Sequence, residues 1–238
     1  DKYQKEFFDQ IYLNGLAQFF YTNQIDWKNL INFPFDKAKQ KHDKLASHGS
    51  GSLVAIGGGK DSIVAAEFMN SLGGEFDCWS VNQAERFEPI ASKLGQNMFS
   101  VKRSIDPTLI EINAKDAYNG HVPITAINYF IGVVLAVLTG RQSLVWAIES
   151  STDEPNTTLQ GLEVNHQYSK TSFFEEKMQH YIGNYIATDI ECFSILRPLS
   201  ELRIAEIFCN NYLEKYQGIY SSCNANFSIG NNEALDWC

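Results

Sequence analysis

Four apolar residues, Leu53-Val54-Ala55-Ile56, run directly into Gly57-Gly58-Gly59-Lys60-Asp61-Ser62, after which apolar residues recur at 63, 64, 68, 69 and 72. A short apolar run bounded by glycine predicts a buried strand, and the later spacing predicts one face of a helix that Gly73-Gly74 ends. The same rhythm continues. Phe76–Val81 predicts a second strand, Pro89–Leu94 part of a second helix and Met98–Val101 a third strand. Pro123–Leu138 predicts a long helix with proline in its first turn, and Ser143–Ile148 a fourth strand. Phe173–Ile186 predicts a helix, Cys192–Leu196 a fifth strand and Glu201–Tyr212 a last helix. Strands alternating with helices predict an α/β fold with a doubly wound parallel five-stranded sheet.

The first fifty residues differ. Phe8, Ile11, Tyr12, Leu16, Phe19 and Phe20 keep a helical spacing, and a polar, lysine-rich stretch follows, ending His48-Gly49-Ser50-Gly51-Ser52. Residues 1–50 are therefore expected to be a small helical adapter and linker, and residues 51–238 the catalytic domain. The 238 residues, 44% hydrophobic and 20% charged, suit a soluble globular protein. A net charge of −9 speaks against a nucleic-acid partner. The apolar stretch Ile124–Leu138 is broken by Asn128 and Gly132 and falls short of the roughly 18–20 residues of a membrane span, so no membrane partner is expected. Five cysteines, an odd number without a secretory signal, predict reduced thiols and a cytoplasmic protein. The chain begins at Asp1 rather than Met, which leaves its natural start open.

The glycine turn defines a chemistry. Ligands of open α/β sheets bind beyond the carboxyl ends of the strands. A glycine turn leading into a helix offers backbone N–H groups there, and both the amides and the helix N-terminus attract phosphate. Lys60 adds positive charge, Asp61 is a candidate ligand for Mg²⁺, and Ser62 is suited to cap the helix or bond a phosphate oxygen. A Walker loop fails, because Val54 stands where its first glycine belongs and Asp61 where Ser or Thr should follow the lysine. A dinucleotide fingerprint fails at Ser62. The six residues Gly57–Ser62 resemble instead the PP-loop of the adenine-nucleotide α-hydrolase type, with Gly57 in place of its leading serine. That resemblance implies ATP binding and attack at the α-phosphorus, with release of pyrophosphate.

Polar clusters follow the later strands. His121 and Thr125, within Asn119–Thr125, are candidates for contacting substrate at a helix start, or simply cap a turn. Glu149 ends the fourth strand and is a candidate for metal or ribose, or a solvated carboxylate. Asn165-His166-Gln167-Tyr168-Ser169-Lys170 is a dense run of donors and acceptors, in which Asn165 is a substrate-binding candidate and His166, Tyr168 and Lys170 are catalytic ones. Histidine is a side-chain type that both accepts and donates protons under ordinary conditions, which suits His166 to proton transfer, and Lys170 carries a charge suited to phosphate or carboxylate. Arg197, stiffened by Pro198, is aimed at a phosphate or pairs with a surface acid. Cys223 and Cys238 are candidate zinc ligands but lack the second pair that a zinc site wants, whereas Cys78 and Cys209 are expected in the core.

Together with Phe8–Leu16, the triple-glycine turn, His121-Val122-Pro123-Ile124-Thr125 and Phe193–Pro198, this cluster resembles the MurL family, the UDP-N-acetylmuramoyl-L-alanyl-L-glutamate epimerases of peptidoglycan synthesis. Members of that family are longer, with a Cys-x-x-Cys segment after the position of Cys238. They also differ after Glu149, where this chain reads Ser150-Ser151-Thr152-Asp153-Glu154-Pro155-Asn156. The resemblance implies ATP and Mg²⁺, and a nucleotide-sugar dipeptide substrate whose terminal L-glutamate carboxylate is adenylated and whose α-carbon is then inverted. Two readings compete with it. One is an amidating or base-modifying ligase resembling 7-cyano-7-deazaguanine synthase; the other is a nucleotide-sensing module without turnover.

Overall fold

The computed structural model describes residues 1–37, 42–46, 48–113, 115 and 117–222. In chain order its elements begin with α1 (Lys2–Gly15), α2 (Ala17–Thr22), β1 (Ser52–Ala55), α3 (Lys60–Ser71), β2 (Phe76–Val81) and α4 (Ala84–Leu94). There follow β3 (Met98–Val101), α5 (Pro107–Asn113), α6 (Ile124–Thr139), β4 (Ser143–Trp146), β5 (Thr157–Leu159) and β6 (Leu162–Val164). The last are α7 (Ser172–Tyr181), β7 (Glu191–Ser194), α8 (Glu201–Asn211) and α9 (Leu213–Tyr216). The chain divides into two compact units, one of residues 1–46, 104–134 and 151–189, the other of 47–103, 135–150 and 190–238.

The second unit holds the expected sheet. Its five strands are all parallel, in the order β3-β2-β1-β4-β7. The chain lays β2 and β3 on one side of β1 and then β4 and β7 on the other. The direction of winding thus reverses between β1 and β4, where α/β proteins bind ligands. Val54, Ile63, Val64, Ile90, Val145, Ile204 and Phe208 share one buried cluster. On β2 the buried Asp77 is held by hydrogen bonds: it accepts from Arg141 Nε at 2.9 Å and Nη2 at 2.5 Å, and from Asn97 Nδ2 at 2.9 Å.

The first unit packs α1 and α2 with a short hairpin and α7. Asp1 caps α1 reciprocally: Gln4 N–H donates to Asp1 Oδ1 at 3.1 Å, and the Asp1 amino group donates to Gln4 Oε1 at 2.8 Å. The buried Phe7 of α1 stacks on Tyr181 of α7 with ring centroids 4.3 Å apart. Strands β5 and β6 pair antiparallel across Gln160 (φ 49) and Gly161 (φ 86), the left-handed pair that a two-residue hairpin turn demands. Leu162 and Val164 point into a cluster with Ala17 and Phe20, and Trp27 Nε1 donates to Leu159 O at 3.1 Å.

Several elements depart from expectation. The fourth strand stops at Trp146 rather than Ile148, because β7 offers partners only for 143–146; the Ile148 N–H turns instead to Ser194 Oγ at 2.7 Å. The helix expected over Phe173–Ile186 ends at Tyr181 and widens into a π-helical turn, Ile182–Ile186. The β5–β6 hairpin and α5 were not signalled by periodicity, since their apolar runs are too short. Among the described residues no helix is long and apolar enough to cross a membrane.

Candidate functional site

The turn after β1 lies at the carboxyl edge of the sheet, beside the reversal point. Gly58 has φ +79, and a Cβ there would come within 2.2 Å of Phe87 Cε1, so only glycine fits. Gly57 has nothing within 4 Å of an added Cβ, which leaves open space against its backbone. Gly59 is the N-cap of α3 and supplies no side chain to its amides. The Lys60 N–H donates to Ser222 Oγ at 3.1 Å, and Ser221 N–H to Gly58 O at 3.0 Å, so the segment after α9 lies along the turn. Ser62 is buried and its hydroxyl already donates to Gly59 O at 2.9 Å.

Lys60 Nζ stands 3.1 Å from Asp61 Oδ1 and 3.3 Å from Glu201 Oε1. Burial alone would lower its pKa, but these two carboxylates outweigh that and raise it, so the ammonium stays charged. Asp61 Oδ1 is buried against the Lys60 ammonium. A carboxylate at a helix N-terminus is suited to a cation carried in with phosphate, and magnesium is commonly held by one or two carboxylates together with substrate phosphates. The residues present therefore fit ATP with magnesium. In the same unit Arg197 Nη1 donates to Glu149 O at 3.1 Å, and Ser150 N–H and Oγ both reach Leu199 O, at 3.1 and 3.0 Å. The loops after β4 and β7 are thereby tied together, with Glu149 and Arg197 at the tie.

The first unit brings together His121, His166 and Lys170. The imidazoles of His121 and His166 lie 5.9 Å apart, edge to face. Burial, His166 and Lys170 together lower the His121 pKa, which keeps that ring neutral. Among the described residues no carboxylate pairs with Lys170 Nζ. His166 Nδ1 is 2.7 Å from Asn156 Oδ1, and Gln167 Nε2 is 3.3 Å from His166 Nε2.

Other expected residues have different surroundings. Both ends of the buried Asn165 amide serve the loop: Nδ2 donates to Thr152 O at 2.9 Å and Oδ1 accepts Gln167 N–H at 2.7 Å. Asn165 thus shapes the cluster from beneath. Tyr168 is buried with its ring on Phe174, and burial pushes its hydroxyl up to about 12, against the pull of Asn14. A phenol so hard to ionise is ill suited to accept a proton near neutrality. Thr125 is buried at the start of α6. Cys223 and Cys238 lie outside the described residues, and among those described no group of three His, Cys, Asp or Glu could hold a metal. Cys78 is buried as expected, but Cys209 is exposed on α8, on the face away from Ile204 and Phe208.

A family model described as the MurL N-terminal domain matches residues 1–195. The chain belongs to that family. Members of the MurL family named UDP-N-acetyl-alpha-D-muramoyl-L-alanyl-L-glutamate epimerase are similar along nearly all of it. The protein from Xanthomonas oryzae pv. oryzae is 34% identical over 229 residues, 96% of this chain and 50% of that protein. Those from Micromonospora sp. and Salinispora tropica are 33% and 34% identical over 231 residues each, 96% of this chain and 51% and 50% of theirs. The chain spans about half the length of these relatives. The span matched to the MurL N-terminal domain takes in the glycine turn and the 165–170 cluster and stops before Arg197 and Ser222.

Two polar residues at these sites carry no local sequence signal. Glu201 and Ser222 reach Lys60 only through the fold, from 141 and 162 positions away. Asn156 reaches His166 across a hairpin, and there a signal existed: Gln160-Gly161 between Thr157-Thr158-Leu159 and Leu162-Glu163-Val164.

Proposed function

We propose that this chain is the ATP-handling part of an AMP-forming epimerase acting on UDP-MurNAc-L-Ala-L-Glu. The observation that carries the reading is a glycine turn at the sheet's reversal point in a chain similar, over 96% of its length, to proteins named as that epimerase.

The chemistry needs activation before inversion. Removing the α-proton of a carboxylate would leave two adjacent negative charges. Attack of the terminal glutamate carboxylate on the α-phosphorus of ATP breaks the α–β phosphoanhydride, releases pyrophosphate and gives an acyl-adenylate. Its α-proton is far more acidic. A base takes that proton, a proton returns to the opposite face, and water cleaves the mixed anhydride to AMP and the D-glutamyl product.

In the second unit, the amides of Gly57–Ser62 and the N-terminus of α3 bind the phosphates, and Lys60 neutralises them. Asp61 would hold magnesium, which when bound would screen phosphate charge and ease departure of pyrophosphate. Arg197 and Glu149 border the nucleotide. In the first unit, His121 and Lys170 provide charge and hydrogen bonds for the anionic substrate, and His166 moves the proton. Each role rests on the geometry within its own unit. No step runs through zinc.

Product analysis tests the reading. With ATP, magnesium and the UDP-muramoyl dipeptide, AMP and pyrophosphate should form, and Asp61→Asn should abolish both at an unchanged melting temperature. ADP as the main product, or full activity in Asp61→Asn, would refute it.

A further inference from the structure

The β5–β6 hairpin places one side chain against His166 in a way that fixes the state of its ring. The turn at Gln160 and Gly161 sets the register Thr157↔Val164, Thr158↔Glu163, Leu159↔Leu162. Asn156, one residue before β5, donates its N–H to Val164 O at 2.8 Å and so stands beside the residues that follow β6. Its Oδ1 lies 3.2 Å from the backbone nitrogen of His166 and 2.7 Å from the ring Nδ1.

The donor–acceptor inventory decides the rest. A backbone N–H can only donate, so the Asn156 atom facing it is the carbonyl oxygen and not the amide nitrogen. The ring nitrogen 2.7 Å from that same oxygen must then carry a hydrogen. A neutral imidazole with its hydrogen on Nδ1 has its lone pair on Nε2. Gln167 Nε2, a donor, stands 3.3 Å from that atom, as the assignment requires.

We propose that Asn156 is a positioning residue that holds His166 as the Nδ1–H tautomer and aims the Nε2 lone pair at the substrate. It does for this ring what an orienting carboxylate or carbonyl does for other catalytic histidines, without adding a charge. Gln167 occupies the lone pair at rest and yields it when the substrate's α-carbon arrives. The identity of the proton rests on the epimerase reading above; the tautomer is a property of the resting protein and does not.

Nitrogen NMR of the chain labelled with ¹⁵N-histidine separates the two. Long-range ¹H–¹⁵N correlations at neutral pH, with His166→Gln to identify the signal, should show His166 Nδ1 as pyrrole-type and Nε2 as pyridine-type. Asn156 is exposed, so its truncation opens no core. Asn156→Ala should move the pattern toward the Nε2–H tautomer and lower the turnover rate for deuterium incorporation by about tenfold or more, with KM little changed. Asn156→Asp, which keeps both acceptor contacts, should retain the tautomer and most of the rate. A wild-type ring protonated on Nε2, or a pattern unchanged in Asn156→Ala, overturns the inference whatever the activity. A tautomer that shifts while deuterium incorporation is undiminished overturns the catalytic role of Asn156. Wild-type protein that incorporates no deuterium counts against the epimerase reading, and with it the role, but leaves the tautomer assignment standing.

Discussion

The backbone N–H of Lys60, at the start of α3, donates to Ser222 Oγ at 3.1 Å. A hydroxyl from the segment after α9 thus holds an amide that the sequence assigns to phosphate. The helix before that segment, α9, is anchored to α3: Glu67 Oε1 receives Lys215 Nζ and Tyr216 Oη, each at 2.6 Å.

If Ser222 stands in for a phosphate oxygen, removing its hydroxyl should help the nucleotide. Ser222→Ala is expected to tighten ATP binding by about two- to tenfold, the net worth of one hydrogen bond no longer broken on binding. Isothermal titration calorimetry measures it. Weakening by a similar factor would show that Ser222 contacts the nucleotide directly.

Gly57 and Gly58 should respond differently to alanine. Gly58→Ala places a Cβ against the buried Phe87 ring at φ +79, and a loss of about 1–3 kcal/mol of stability is expected in urea unfolding. At Gly57 the space is open, so Gly57→Ala should change stability by no more than about 0.5 kcal/mol. It should nevertheless weaken ATP binding by about tenfold, because the added methyl stands where the phosphates approach. Unchanged affinity in Gly57→Ala would remove the phosphate from that glycine.

How much of this was legible in the sequence depends on range. Phe76–Val81 and Met98–Val101 were bounded correctly because glycine and polar residues, Gly73-Gly74 and Asn82 for the one and Gly95-Gln96-Asn97 and Lys102 for the other, bracket short runs rich in apolar residues. The turn at Gly57–Ser62 was visible because one contiguous stretch carries its chemistry. Glu201 and Ser222 were not, since only the folded sheet brings them to Lys60. Asn165 and Tyr168 read as substrate-binding and catalytic candidates within a polar run, whereas Asn165 spends its amide on Thr152 and Gln167 and Tyr168 lies in the core. Residue types in a short window reveal a loop's capacity for hydrogen bonding. They do not reveal which side chains turn inward.

Alkaline pH should weaken the second unit. Burial, and the carboxylate of Glu67, raise the Tyr216 pKa above its ordinary 10.0, and burial pushes the Cys78 thiol up to about 12 from 9.0. Above these ordinary values the unfolded chain releases protons that the folded chain keeps, so stability falls as pH rises. The urea midpoint should therefore drop from about pH 9 up to about pH 12, and above about pH 10 Tyr216→Phe should drop less steeply. Equal slopes would mean that Tyr216 does not carry the effect.

On the proposed function, His166 and Lys170 should divide the two half-reactions. Lys170→Ala should lose substrate-dependent exchange of labelled pyrophosphate into ATP, together with deuterium incorporation. His166→Ala should keep the exchange and lose the deuterium. Loss of exchange in His166→Ala would move that histidine to substrate binding and the base elsewhere, to His121 among the described candidates. Retention of both signals would make it structural.

The central claim is that ATP cleavage is coupled to inversion at a glutamate α-carbon. Incubation with ATP, magnesium and UDP-MurNAc-L-Ala-L-Glu in heavy water tests it directly, with products read by mass spectrometry and chiral amino-acid analysis. The account predicts one AMP for each D-glutamyl product, and one deuterium at the α-carbon of that product. AMP formed without deuterium, or deuterium incorporated without ATP, would contradict it.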